Sequence, residues 1–159
     1  WVLDPGYVIV CSVVAVLGQR LVRTVCKKCK TQIKLPENVL ADAGIPPDVA
    51  EKATFTKGKG CGYCQKSGYR GRMGIYELMV VTSKIREMVF QNKSTIELAR
   101  QAIKEGMTTL FCDGVRKVLK GHTTLEEVYR SAKRSEQDAF AIEIVFKEIR
   151  EGKGGIAVS

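Results

Sequence analysis

Histidine is nearly missing from this chain. His122 is its single copy, which excludes a histidine-rich metal site and leaves a solvated residue in the Gly121-His122-Thr123 turn. No GxxxxGK[ST] string occurs, so the glycines form no phosphate cradle. The longest mainly apolar run, Val8 to Leu17, is too short to span a bilayer. With Asp4 and Pro5 before it and no basic stretch, it does not read as a signal peptide either. Acidic residues are the minority, 17 against 26 Lys and Arg, for a net charge of +9. That bias permits an acidic partner, nucleic acid or an anionic surface without selecting among them. The carboxylates fall mainly beside lysines at helical spacing, as a solvated surface would, and no catalytic constellation stands out. The chain opens on Trp1 rather than Met, and is expected to be a cut or incomplete polypeptide.

What is present is cysteine in a pattern. Cys26-Lys27-Lys28-Cys29 and Cys61-Gly62-Tyr63-Cys64 are two CxxC pairs separated by 31 residues. A two-residue gap lets both sulfurs of a pair face one point, and two such pairs supply the closed four-sulfur shell that Zn²⁺ prefers. A closed shell holds a structural metal and does no chemistry of its own. Two disulfides or four free thiols are the alternatives. One CxxC alone reads as a redox centre, whereas two read as a shared metal. The lysines beside the pairs then have a plain role, offsetting the negative charge of the thiolate shell. Cys11 and Cys112 lie on apolar-patterned segments and read as packed core thiols.

At 159 residues the chain is one domain, or two small ones sharing a core. The apolar run from Tyr7 into Arg23 has the β-branched content of a strand, but its length and basic end favour a buried helix. Arg20 and Arg23 would then sit on one side of the helix end, where cations suit the macrodipole. Glu37 to Ala43 and Pro47 to Ala53 read as short helices, the second opening on proline. The glycine-rich basic stretch Gly68 to Gly74 leads into Ile75 to Val81, a buried strand. Capped helices follow. Ser83 opens one with Ile85, Met88 and Val89 inward, and Ser94 with Glu97 boxes another that ends at Gly106. Thr108 or Thr109 opens a third, with Leu110, Cys112, Val115, Val118 and Leu119 inward and Gly121 as its stop. Thr123 with Glu126 caps a fourth. A last helix, about Glu136 to Arg150, carries Phe140, Ile144, Val145 and Ile149 at helical spacing and ends in a glycine tail. Tyr63, Tyr69 and Tyr76, beside basic residues, are expected to pack near the cysteines rather than to stack on bases.

Taken in order, three strings are similar to the C-terminal part of the E-type secretion ATPases (the GspE/PilB family), which power type II secretion and type IV pilus assembly. They are Gln19-Arg20-Leu21-Val22-Arg23 running into Cys26 and Cys29, then Cys61-Gly62-Tyr63-Cys64, then Gly68-Tyr69-Arg70-Gly71-Arg72-Met73-Gly74-Ile75-Tyr76-Glu77-Leu78. Glu105-Gly106-Met107-Thr108-Thr109-Leu110 and Gly121-His122-Thr123-Thr124-Leu125-Glu126-Glu127-Val128 continue the likeness, which covers about residues 3–132. The resemblance implies an α+β architecture: the end of a RecA-like P-loop ATPase core, an inserted tetracysteine zinc subdomain and a C-terminal helical subdomain. On that pattern residues 1–25 close the core and 26–64 form the zinc insertion. Residues 65–81 return a core strand, 82–133 are the helical subdomain, and 134–159 are an extra helix and tail. Cys26, Cys29, Cys61 and Cys64 would be the zinc ligands.

The same resemblance implies a hexameric, cytoplasmic motor docked on inner-membrane platform proteins. ATP and Mg²⁺ would belong to the full-length protein, since the Walker A and B segments of the family lie upstream of Trp1. This chain alone is therefore expected not to hydrolyse ATP. Arg20, Arg23, Arg70 and Arg72 would face a neighbouring subunit or simply solvent. Two other readings stand beside this one: a freestanding zinc-binding adaptor for a protein partner, and a basic zinc module on nucleic acid, which is disfavoured.

Overall fold

The computed structural model describes residues 12–151. Its first element is a strand, β1 (Ala15–Val25), where the length and basic end favoured a buried helix. The reason lies opposite it. A long strand, β4 (Tyr69–Val80), pairs antiparallel with β1 from Ala15↔Val80 to Arg23↔Arg72, and a bulge then shifts the register to Val25↔Tyr69. A run rich in β-branched residues with a partner of nearly equal length is better placed in a ladder than in a helix. Arg20 and Arg23, read as two cations at a helix end, point to opposite faces instead, since side chains alternate along a strand.

The ribbon has two unlike faces. Val22 and Ile75 are almost fully buried, whereas Leu17, Leu21, Tyr76, Leu78 and Val80 are about half exposed on the other side. The expected strand Ile75 to Val81 is therefore real but not uniformly buried: it reaches back to Tyr69 and alternates. Val16, on the Val22 side of β1 opposite Met79, and Val14 just before the strand are also exposed, within the described part of the Val8 to Leu17 run. Cys11 lies outside the described residues, as does the glycine tail after Glu151.

Between the ribbon strands, β2 (Lys30–Gln32) pairs with β3 (Thr56–Gly58), and two short helices separate them. These are α1 (Glu37–Asp42) and α2 (Pro47–Lys52), where the turn Gly44-Ile45-Pro46 and the proline at the first helical position predicted them. After β4 come α3 (Ser83–Phe90), α4 (Thr95–Lys104), α5 (Leu110–Leu119), α6 (Leu125–Ser131) and α7 (Glu136–Arg150). The caps are largely as read: Ser94 and Glu97 form a capping box, and Thr109 accepts from the Cys112 amide.

Two caps shift. Thr82, not Ser83, caps α3 by accepting from the Ile85 amide. Thr124, not Thr123, stands before α6, because the Thr123 hydroxyl donates to the Arg23 carbonyl at 2.8 Å and so ties the helix entry to β1. Helix α7 has the expected length, but it turns Ala141, Ile142, Val145 and Phe146 inward and leaves Phe140 partly exposed.

One apolar core joins three parts of the chain. Ala43, Ile45, Val49 and Phe55 come from the insertion, Ile103, Phe111, Val115, Val118 and Val128 from the helices, and Ile142, Val145 and Phe146 from α7. Cys112 lies within it fully buried, as expected, and burial pushes its thiol up to about 11. Gly121 ends α5 with φ +66°, and a Cβ there would lie 2.7 Å from the Thr54 carbonyl, so glycine is required where the insertion crosses the helix end. No helix among the described residues is long and apolar enough to cross a membrane.

Candidate metal centre

The four cysteines of the two CxxC pairs converge. The sulfurs of Cys26, Cys29, Cys61 and Cys64 all lie within 4.8 Å of one another. Cys26 to Cys61 is 3.9 Å, Cys29 to Cys64 3.7 Å and Cys61 to Cys64 3.7 Å. A disulfide needs about 2.05 Å. A tetrahedral ZnS₄ shell with bonds of about 2.3 Å separates its sulfurs by about 3.8 Å. The donor set and its spacing therefore fit one tetrahedral metal ion, and they do not fit paired disulfides.

Backbone geometry brings the pairs together. The first follows directly from β1: the Cys26 amide donates to the Gly68 carbonyl, and the Cys29 amide turns back to the Cys26 carbonyl. The β2–β3 pair then carries the chain out and returns it, with the Lys59 amide donating to the Cys29 carbonyl. This return forces two backbones together. A Cβ on Gly58 would lie 2.0 Å from the Gly68 carbonyl oxygen, and Gly68 itself has φ +77°. Both positions must be glycine, because the two backbones approach too closely for a side chain at either.

The second pair sits on a short 3₁₀ turn, Gly62–Cys64. The Cys61 amide donates to the Cys64 sulfur at 3.2 Å, the kind of bond that stabilises a thiolate. Gln65 and Lys66 then take left-handed φ values of 52° and 61°. Neither is glycine or asparagine, so each costs roughly 1–3 kcal/mol unless its surroundings hold it. The holding contacts are the Lys66 amide on the Cys61 carbonyl at 2.8 Å and the Ser67 hydroxyl on the Cys64 carbonyl at 2.6 Å. No local sequence signal marks this turn.

The electrostatics of the sulfurs are uneven. Desolvation, followed by the neighbouring thiols, pushes Cys29 up to about 12. At Cys64 desolvation opposes ionisation, but the Cys61 and Gly68 amides and the adjacent sulfurs outweigh it and bring the thiol down to about 6. One readily ionised sulfur among crowded neighbours is what a cation would exploit, since a dication favours the thiolate form at every ligand.

Around the shell the side chains are basic and aromatic. Lys28 and Arg70 both lie over the Tyr63 ring, 4.3 and 3.9 Å from its centre. Arg23 lies 4.3 Å over Tyr69, whose hydroxyl meets that of Thr124 at 2.9 Å. Tyr76 lies away from the shell, opposite Gln19 in the ribbon, where Lys117 approaches its ring at 5.1 Å, so the expected packing near the cysteines does not hold for it. All three tyrosines thus have the protein's own cations on their rings, which leaves base stacking without support. His122 is exposed and is not among the converging ligand residues, its imidazole held below the usual value by desolvation and then by Lys30 and Lys120.

Of the four arginines, Arg20, Arg70 and Arg72 are exposed. Arg23 is engaged internally: its guanidinium meets Glu127 at 2.5 Å and its backbone amide donates to the same carboxylate at 3.1 Å. Glu127 is 4% exposed, and its carboxyl is held below the usual range, first by the Arg23 hydrogen bond. Sequence reasoning missed this pair because its members are 104 positions apart.

The family model described as "Type II/IV secretion system protein" matches residues 5–130. The Type IV pilus assembly ATPase PilB of Myxococcus xanthus is 41% identical over 127 residues, 79% of this chain and 22% of that protein. The protein of the same name from Thermus thermophilus is 43% identical over 117 residues, 74% of this chain and 13% of that one. Type II secretion system protein E of Pseudomonas aeruginosa is 43% identical over 119 residues, 75% of this chain and 23% of that one. The chain spans less than a quarter of the length of these relatives.

Proposed function

The chain belongs to the type II/IV secretion system protein family, and from that premise we propose that it is the C-terminal, zinc-holding portion of a hexameric ATPase powering type II secretion or type IV pilus assembly. The observation that carries the zinc reading is the spacing of the Cys26, Cys29, Cys61 and Cys64 sulfurs, 3.7 to 3.9 Å along the measured edges. With four thiolate ligands the ion has no open position and serves structure, fixing the chain reversal between β1 and β4.

In this reading β1 and β4 are the last strands of a RecA-like P-loop core, and the half-exposed face of Leu17, Leu21, Leu78 and Val80 meets the remainder of that core. Residues 26–64 are the zinc insertion, 65–81 the returning core strand, 82–133 the helical subdomain and 134–159 an addition to it. ATP and Mg²⁺ are cofactors of the whole protein. The chain itself contains no phosphate-binding string, and no residue of it is assigned a catalytic role. Its partners are the other subunits of the hexamer and platform proteins at the cytoplasmic face of the bacterial inner membrane. The relatives named as pilus assembly ATPases and as type II secretion protein E support the motor reading, without separating the two systems.

The test is elemental analysis of the purified chain beside an ATPase assay with Mg²⁺-ATP. One zinc per chain and no hydrolysis is the expected result, with zinc lost in Cys61→Ser. Absence of zinc after anaerobic purification with the metal supplied overturns the metal assignment. An antibody to the chain should detect a native polypeptide well above 17.6 kDa; a band at that mass overturns the motor assignment.

A further inference from the structure

Helix α7 lies beyond the residues 5–130 that the family model matches, and it does more than extend the helical layer. We propose that α7 is a strap that fixes the α1–α2 end of the insertion onto the helices independently of the cysteine shell. It is fastened along its whole length. At its start Asp138, 3% exposed, accepts from the Thr109 hydroxyl at 2.5 Å and from the Ser135 amide and hydroxyl at 2.6 and 2.7 Å. That carboxylate is shared by the N-termini of α5 and α7, where both helix dipoles favour negative charge.

Midway, Ile142 lies against the turn between α1 and α2: a Cβ added to Gly44 would come 3.5 Å from its Cγ2. Arg134, just before α7, donates to the Asp42 carbonyl at the end of α1. At the far end Arg150 binds both carboxylate oxygens of Asp48, in the first turn of α2, at 2.7 and 3.0 Å. The rest of the insertion is tied elsewhere. The Thr54 amide donates to the Leu119 carbonyl and the Thr56 hydroxyl to the Gly121 carbonyl, both at the end of α5. The insertion is thus held by different chemistry at its ends, sulfur at the cysteine end and α7 at the α1–α2 end, with the Thr54 and Thr56 ties to α5 between them. Loss of the first leaves the second in place.

This inference goes beyond the zinc reading and does not depend on it. The test is amide hydrogen exchange on the whole chain, comparing the Ala43, Ile45 and Ala50 amides with those of Lys59 and Lys66. Ile142→Ala should speed exchange at the first set by at least about tenfold and leave the second set unchanged. Because Ile142 is a core residue whose loss could loosen the whole fold, Arg150→Gln is the second variant. It removes an exposed pair and should speed Ala50 by only about two- to fivefold. Adding a chelator to the unaltered chain should do the converse, speeding Lys59 and Lys66 alone. Two results overturn the strap: chelation that speeds all five amides alike, or variants that leave Ala43, Ile45 and Ala50 at the original rate. A chelator without effect on any amide counts against bound metal, and the two variants then decide the strap.

Discussion

The insertion has two ends built on opposite principles. At the cysteine end, within residues 26–32 and 57–69, the buried side chains are Cys26 and Cys64. The stretches 26–32 and 57–72 carry eight Lys and Arg and no Asp or Glu. A ZnS₄ unit offsets only about two of those charges. At the helical end Ala43, Ile45, Val49 and Phe55 enter a core shared with α5 and α7, and Asp42 and Asp48 are paired there with tyrosine and arginine. Apolar burial scales with area and tolerates modest changes, whereas a metal shell is lost with any one ligand. The difference teaches where this chain is fragile: a short, self-repelling knuckle depends on four atoms, while its neighbour is held by a whole core.

Cys61→Ser attacks that contrast with the largest effect. Structural zinc in small domains contributes roughly 10–16 kcal/mol of apparent binding energy near neutral pH. The variant should lose its metal by elemental analysis and lose exchange protection at Lys59 and Lys66, while circular dichroism from α3 to α6 stays near the original. Full loss of helical signal would mean that the two ends are one cooperative unit. Phe111→Ala attacks from the other side. Phe111 is 1% exposed and its ring lies 5.4 Å from that of Tyr129. Truncating such a side chain should cost about 3–5 kcal/mol in urea titration, with the folded fraction still holding its metal. A variant that folds but binds none would erase the distinction.

How far the sequence disclosed these two ends follows from how local each signal is. The CxxC pairs were legible because a two-residue gap fixes the direction of the sulfurs, and the Ser94–Glu97 box because a cap spans only four residues. Strand β1 was misread because its partner β4 begins 44 positions beyond its end. A length and charge argument applied to one segment has no access to that ladder. Thr123 was misplaced for a similar reason, since its hydroxyl answers a carbonyl 100 positions away. In α7 the helical period was right and most of its apolar face was too: Val145 is in the core and Ile144 and Ile149 pack against it, whereas Phe140 is left partly exposed and Ala141, Ile142 and Phe146 fill the stripe instead. Which apolar stripe turns inward depends on Gly44 and the α1–α2 turn, not on the stripe itself.

The Arg23–Glu127 pair sharpens the comparison at the seam, since it binds the end of β1 to α6 just before the first cysteine pair. The two side chains are 42% and 5% exposed, so solvent screens the arginine more than the carboxylate. Glu127→Gln should cost about 1–3 kcal/mol at neutral pH. The pH dependence has a definite sign. The folded pKa of Glu127 lies below its ordinary value, first through the Arg23 hydrogen bond. Its contribution is therefore complete above the unfolded pKa of about 4.3 and is lost as pH falls through the lower folded value. Thermal melts between neutral pH and pH about 3 should show the original chain and Glu127→Gln converging at the acid end. Curves that stay parallel throughout would mean that the carboxylate charge contributes nothing.

Tyr63 gives the smallest effect, and its smallness is the point. Lys28 and Arg70 crowd its ring, and the Arg70 guanidinium also donates to the Tyr63 carbonyl at 2.5 Å. The ring is 44% exposed, so each cation gains only about 0.5–1 kcal/mol from it. Tyr63→Leu keeps apolar volume and removes the π-face. It should lower the melting free energy of the metal-bound chain by about 1 kcal/mol and leave metal content at one per chain. Added salt should narrow the gap, because the cations released from the ring repel one another most at low ionic strength. If Tyr63→Leu instead released the metal, the knuckle would be held by packing after all, and its two ends would differ in degree rather than in kind.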